Sequence, residues 1–275
     1  MEDELWREAF SEPPKSVDLP TCVGLTHVYA WPGGGTPFVF LHGMGGTALA
    51  WLDYVRARDG RSAYAVDTIG DVGRSVQDEP LRDAAHIAQW LDETLAGLQI
   101  ARAHLVGSSY GGWLALNQAI RRPERVASIT LLDPAGVVPP DMARFLLWGG
   151  CVMAGSLMPG PFRRKIAHWT RMPLLEDKRI MRMAFYGQIK HPFRLPPAGP
   201  ATDDELRAIT TATLALLGEK SELFRSARVA ERLRTCVESA DVEIVKEAGH
   251  ALPVSHPALV CARMWPFAAS VDAAA

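Results

Sequence analysis

The chain of 275 residues is 48% hydrophobic and 22% charged, which supplies apolar material for one large globular domain, or a domain with an insertion, and excludes a disordered chain. Its formal net charge of -2 gives no long-range field toward nucleic acid or an anionic membrane, and the short basic run Arg163-Arg164-Lys165 reads as a solvated helix face. Four separated cysteines without C-x-x-C, and eight scattered histidines without H-x-x-x-H or H-x-H, argue against a metal site or a dithiol redox pair.

The opening MEDELWREAF is acidic where a secretory leader would be basic, and no later stretch is long and charge-free enough to span a bilayer, so a cytoplasmic protein is expected. PFVFLHG, from Pro37, predicts a buried strand that runs into a glycine-rich loop, His42 to Gly46, and SAYAVDT, from Ser62, predicts another. LRDAAHIAQWLDETLAGL repeats Ile87, Trp90, Leu91, Leu95 and Leu98 near the helical period. The strand AHLVGS, from Ala103, leads directly into SYGGWLALNQAIRRPERV, a helix that stops at Pro123. VASITLLD, from Val126, is a strand ending at Asp133.

There the alternation breaks. Residues 137–200 carry the helical stretches MARFLLWGGCVMAG, FRRKIAHWTRM and KRIMRMAFYGQI and end in the proline-dense HPFRLPPAGP, which reads as an inserted helical cap on a core of residues 1–136 and 201–275. Beyond it come the strand ATLALLG from Ala212, the amphipathic helix in SELFRSARVAERLRTC, the strand VEIVKEAG from Val242 and a last helix in SHPALVCARMWPFAAS. Strands alternating with helices give an α/β class, a mostly parallel sheet with helices on both faces and its sites at the carboxyl ends of the strands.

One serine has the setting of a nucleophile. Ser109, between Gly107 and Gly111, completes G-x-S-x-G, whereas its neighbour Ser108 does not. The motif is short, but it sits between a strand and a helix, the strand, sharp turn and helix of a nucleophile elbow. Such a serine needs a base and an oxyanion hole. The amides of Met44, in the His42 to Gly46 loop, and of Tyr110, the residue after Ser109, are the candidate donors, with His42 ordering the loop. His250, after the last strand, is the candidate base and is preferred over His256, which precedes Pro257 at the start of the final helix.

The ordered set FLHGMGG, VDTIGDVGRS, LVGSSYGGWLAL, LLDPAG, LLGEKSELF and EAGHALPVSHP, spread from about Thr26 to Phe267, resembles the α/β-hydrolase superfamily. The resemblance implies an eight-stranded sheet, a catalytic triad in the chain order serine, acid, histidine, and a loop-shaping role for Asp67. Most relatives keep the acid after the seventh strand, in a stretch resembling G-E-K-D. Here that stretch reads Gly218-Glu219-Lys220-Ser221-Glu222, with serine at the acid position. Asp133, ending the sixth strand where certain lipases and dehalogenases keep the acid, and Glu222, one residue late, are the two substitutes, and Asp133 is preferred.

The expected activity is that of a serine hydrolase, an esterase or thioesterase that opens a small to medium hydrophobic ester or thioester through an acyl-enzyme, without a cofactor. Phe145, Leu147, Trp148, Met153, Leu157, Met158, Trp169 and Phe185 give the cap its apolar character, and the substrate is a small molecule or an acyl group carried by coenzyme A or a carrier. The same serine also serves a lyase, acyltransferase or cyclase in some relatives. The vacant acid position leaves a third reading, a ligand-binding or signalling protein with little turnover.

Overall fold

The computed structural model describes residues 2–10, 12–176 and 194–274, and the cap stretch 178–189 with Phe185 lies outside them. Nine described strands form one sheet: β1 (Lys15–Thr21), β2 (Gly24–Trp31), β3 (Gly34–Leu41), β4 (Arg61–Val66), β5 (Val76–Gln77), β6 (Ala103–Ser108), β7 (Val126–Leu132), β8 (Ala212–Gly218) and β9 (Ala240–Val245). Eight of them make the path β1-β2-β4-β3-β6-β7-β8-β9, and the two-residue β5 pairs with β2 off that path. Pairing is antiparallel from β1 to β4 and parallel from β4 to β9.

The central strands are apolar without alternation because both faces are covered. Every residue of β7 is buried, and all but the first of β8. Side chains still part by the period of two. Val39 and Leu41 of β3 join Leu105, Ile129 and Leu217 under the helices Ala84–Gly97, Tyr110–Arg121 and Ser226–Cys236, whereas Phe38 and Phe40 join Val106, Leu216 and Trp265 under the helix Pro257–Ala274. The edge strand β1 is mostly exposed and carries Lys15 and Pro20, which blunt it against further pairing.

His104 of β6 is a buried polar group inside the second of these layers. Its Nδ1 lies 2.8 Å from Ser128 Oγ and its Nε2 3.2 Å from Asp272 Oδ1 on the last helix. Burial holds its imidazole below the usual histidine range, against the pull of Asp272. The unfolded chain therefore takes up this proton first, and the stability tied to neutral His104 is fully present above the unfolded value of about 6.5 and is lost as the pH falls from there through the lower value of the folded state. His104→Gln should flatten the fall in melting temperature between about pH 7.5 and pH 5.5; an unchanged slope would remove His104 from the acid sensitivity.

Two cap helices, Met142–Ser156 and Gly160–Thr170, follow β7, with the Asp141 carboxylate accepting from Arg144 N–H at the start of the first. They cross at Gly155, where a Cβ would lie 2.7 Å from Ile166 Cγ2. Leu147, Met153, Leu157, Met158 and Trp169 are exposed, while Trp148 is half-buried; the Phe145 side chain lies outside the described set. Residues 194–201 return to the core: Arg194 N–H donates to Gly70 O (2.9 Å) and Ala201 N–H to Gly136 O (2.8 Å). Among the described residues no helix is long and apolar enough to cross a membrane.

Candidate active site

Ser109 sits between β6 and the helix Tyr110–Arg121 at φ 51° and ψ -113°, a region that L residues rarely occupy. Three main-chain bonds hold it there. Ser109 N–H donates to Leu132 O (3.0 Å), and Ser109 O accepts from Trp113 N–H (3.1 Å) and Ala135 N–H (3.0 Å). The flanking glycines are required by space, since a Cβ on Gly107 would overlap the carbonyl of Gly111, and one on Gly111 would overlap that of Leu41. The strained turn leaves the serine side chain half-buried at the carboxyl edge of the sheet.

His250 reaches it from the loop after β9. Its Nε2 lies 3.0 Å from Ser109 Oγ, and its Nδ1 2.6 Å from Asp133 Oδ2. Asp133 is 1% exposed and adopts φ 45° directly after β7, pinned by its own N–H to Leu216 O (2.9 Å). Its other partners are donors: Gly218 N–H to Oδ1 (3.2 Å) and Ser221 O–H to Oδ2 (2.6 Å). A carboxylate held this way only accepts, so the proton lies on His250 Nδ1, and Nε2 turns its lone pair to the Ser109 hydroxyl.

Glu222 lies elsewhere. Its Oε2 accepts the main-chain N–H of His250 (2.9 Å) and its Oε1 faces Arg171 Nη1 (3.3 Å), so Asp133 is the carboxylate at the ring. Ser221, which stands where relatives keep the acid, donates its hydroxyl to Asp133 instead. His256 bonds to Ser255 Oγ (2.7 Å) and receives Val260 N–H at the start of the last helix.

The loop from His42 to Gly46 lies against the serine, for a Cβ added to Gly43 would stand 3.3 Å from Ser109 Cβ. His42 is 1% exposed and orders this loop. Its Nε2 accepts Thr68 N–H (3.0 Å), which leaves the proton on Nδ1 to donate to Gly43 O (2.9 Å). Both oxygens of Asp71 accept Gly45 N–H at 3.0 Å. Burial pushes the Asp71 carboxyl up, against the lowering pull of His42 and of the Val72 and Gly45 amides. Met44 therefore sits in a loop fixed on both sides, and Tyr110 N–H belongs to the first turn of its helix, whose amides have no intrahelical acceptor. The Tyr110 phenol, pushed up by burial, donates to Pro196 O (3.0 Å) on the segment returning from the cap. Asp67 is buried and accepts Ala48 N–H and Arg74 N–H, both at 2.9 Å, which ties together two loops.

Several neighbours carried no signal in the sequence. Asp71 lies in VDTIGDVGRS without a pattern of its own, and no pattern singles out Phe224. Its ring and that of Trp148, which the sequence marks only as apolar cap material, stand edge-on to the His250 ring at 5.7 and 6.3 Å between centroids. Among the described residues no group of three or more histidine, cysteine, aspartate or glutamate side chains is arranged to hold a metal ion.

Comparison with known proteins agrees with this architecture. The chain is similar to an uncharacterized carboxylesterase, nap, of Bacillus subtilis (strain 168), with 29% identity over 269 residues that cover 92% of this chain and 86% of that protein. It is also similar to the carboxylesterase YbfK of the same organism, with 27% identity over 256 residues, 90% of this chain and 85% of the relative. The crystal structure of naproxen esterase (carboxylesterase NP) from Bacillus subtilis superposes with a TM-score of 0.79 at 26% identity, over 96% of this chain and 94% of that one. Residues 38–263 match the model of the family described as the alpha/beta hydrolase family, and with most of its length accounted for in this way the chain belongs to that family.

Proposed function

We propose that the protein is a serine carboxylesterase that hydrolyses small to medium hydrophobic esters through an acyl-enzyme on Ser109. The observation that carries this reading is the continuous relay Ser109 Oγ, His250 Nε2, His250 Nδ1, Asp133 Oδ2, with separations of 3.0 and 2.6 Å. His250 takes the hydroxyl proton as Ser109 Oγ attacks the ester carbonyl. The carbonyl oxygen gains the negative charge and is held by the amides of Met44 and Tyr110, donors of a kind worth roughly 3 kcal/mol each in such sites. The alcohol leaves with the proton from Nε2. Water then gives a proton to Nε2 and attacks the acyl group, and collapse releases the acid and returns the proton to Ser109.

In this reading residues 1–136 and 201–275 are the catalytic core and residues 137–200 its cap, and these steps call for no cofactor. Esters are favoured over thioesters by the relatives, which are described as carboxylesterases. The four free thiols support a reducing, cytoplasmic setting.

A fluorophosphonate probe and a panel of aryl esters and acyl thioesters, run on wild type and Ser109→Ala, test the proposal. The expected result is labelling and ester turnover that both vanish in Ser109→Ala, with shorter aryl esters turned over faster than thioesters. Labelling that persists in the variant, or folded wild type that neither labels nor turns over any ester, would overturn it.

A further inference from the structure

Two parts of the cap converge on His250. The Trp148 ring meets the imidazole edge-on, and its Nε1 donates to Thr170 O (2.9 Å) at the end of the helix Gly160–Thr170. Immediately after Thr170, Arg171 turns into the left-handed region at φ 52° and ψ 30° and extends its guanidinium to Glu222. Glycine is the residue favoured at that helix end, and an arginine there carries strain. Its reach to Glu222 gives a non-glycine residue at this position something to do.

Glu222 divides its two oxygens between the cap and the loop of the histidine. Oε1 faces Arg171 and Oε2 accepts the N–H of His250, with the Glu222 side chain only 13% exposed. The preceding residue is glycine for a local reason. A Cβ on Gly249 would lie 2.9 and 3.0 Å from the two Glu222 oxygens and 3.0 Å from Arg171 Cδ, so both side chains lie directly on the main chain that carries the imidazole. The ring itself is bonded to Asp133 and Ser109, which leaves Glu222 no part in proton transfer.

We propose that Glu222 is a positioning residue that ties the main chain of His250 to the cap through Arg171, so that the seat of the imidazole over Ser109 depends on the cap being closed. The inference rests on the esterase reading for its kinetic consequence. Lifting the cap separates Arg171 from Glu222 and Trp148 from the imidazole together, which couples the opening of the site to the order of its base.

The test compares Glu222→Ala, Glu222→Gln and Arg171→Ala with wild type, measuring kcat and KM on one small aryl ester and the hydrogen exchange of the His250 amide by NMR. Glutamine keeps one acceptor oxygen for the His250 amide but turns its NH₂ to Arg171, so like Arg171→Ala it breaks only the cap half of the tie. It should lower kcat no more than about three-fold, while alanine, which removes both halves, should lower kcat roughly ten-fold or more at nearly constant KM. The His250 amide should exchange at least about ten-fold faster in Glu222→Ala and faster to a lesser degree in Arg171→Ala, which lies on a cap helix end and tests the tie even where Glu222→Ala fails to fold. Wild-type exchange and kcat in Glu222→Ala, equal damage from glutamine and alanine, or unchanged exchange in Arg171→Ala would each overturn the proposal. If wild type turns over no ester, the esterase reading fails on that result, and the His250 amide still reports whether the tie exists.

Discussion

Asp133→Asn is expected to lower kcat by about 10⁴-fold with KM changed only a few-fold, in a protein that still folds. The reason lies in the partners of the carboxylate. Asp133 Oδ1 receives Gly218 N–H, and Oδ2 receives both Ser221 O–H and the proton on His250 Nδ1. An asparagine oxygen placed at the Gly218 amide turns its NH₂ toward His250, which drives the ring proton to Nε2 and removes the base. The opposite flip sets NH₂ against Gly218 N–H, and the neutral oxygen left at the ring stabilises the imidazolium poorly. Glu222→Gln, measured beside it, should keep kcat within about three-fold because a main-chain amide needs only one acceptor. Steady-state kinetics on purified variants of matched melting temperature decide this, and the reverse ranking would move the acid to Glu222.

The second large effect is expected at an elbow glycine. In Gly111→Ala the new methyl would overlap the carbonyl of Leu41 and stand 2.7 Å from His42 O, main-chain atoms that cannot rotate away. Either the helix Tyr110–Arg121 lifts from the sheet or the end of β3 gives way, and the loop carrying Met44 moves with it. Overpacking of this kind costs about 3 kcal/mol or more, and a shift of about 1 Å between Ser109 and the Met44 amide lowers kcat roughly 100-fold. Gly150→Ala in the cap helix meets nothing within 4 Å and should be neutral or stabilise by up to about 1 kcal/mol. Thermal melts and kcat of the two variants check the contrast, and equal melting temperatures would show that the elbow has room for a side chain.

The strands covered on both faces were the most plainly legible. AHLVGS, VASITLL and ATLALLG read as strands because burial admits only apolar or small residues along them. KSVDLPT and GLTHVYAW escaped the residue pattern since β1 is an exposed edge and β2 buries Thr26 and His27, polar groups whose partners lie on another element, the neighbouring strand for His27 and a helix far along the chain for Thr26. Thr26 receives Trp90 Nε1–H (2.7 Å) and His27 Nδ1 lies 2.6 Å from Asp18, contacts that no local periodicity encodes.

The site divides in the same way. Ser109 stood out because the elbow leaves a glycine signature, and His250 because it follows a strand on a short glycine loop. The choice between Asp133 and Glu222 turned on one tight loop after β8. Ser221 N–H donates to Gly218 O (3.0 Å) and Lys220 N–H to Ala248 O (2.8 Å), which carries Ser221 under Asp133 and sends Glu222 to the main chain of His250. Chain spacing alone gives both carboxylates comparable access. The cap was legible as apolar helix but not as contact, because Trp148 differs from its exposed neighbour Leu147 only in which side of one helix it occupies.

The esterase account stands or falls on a covalent intermediate at one oxygen atom. Acid quenching within milliseconds of mixing the protein with an activated aryl ester, followed by peptide mass spectrometry, should find the acyl mass on the peptide containing Ser109 at a stoichiometry approaching one per chain. Release of phenol without that adduct, or with the acyl group on another residue, would contradict it.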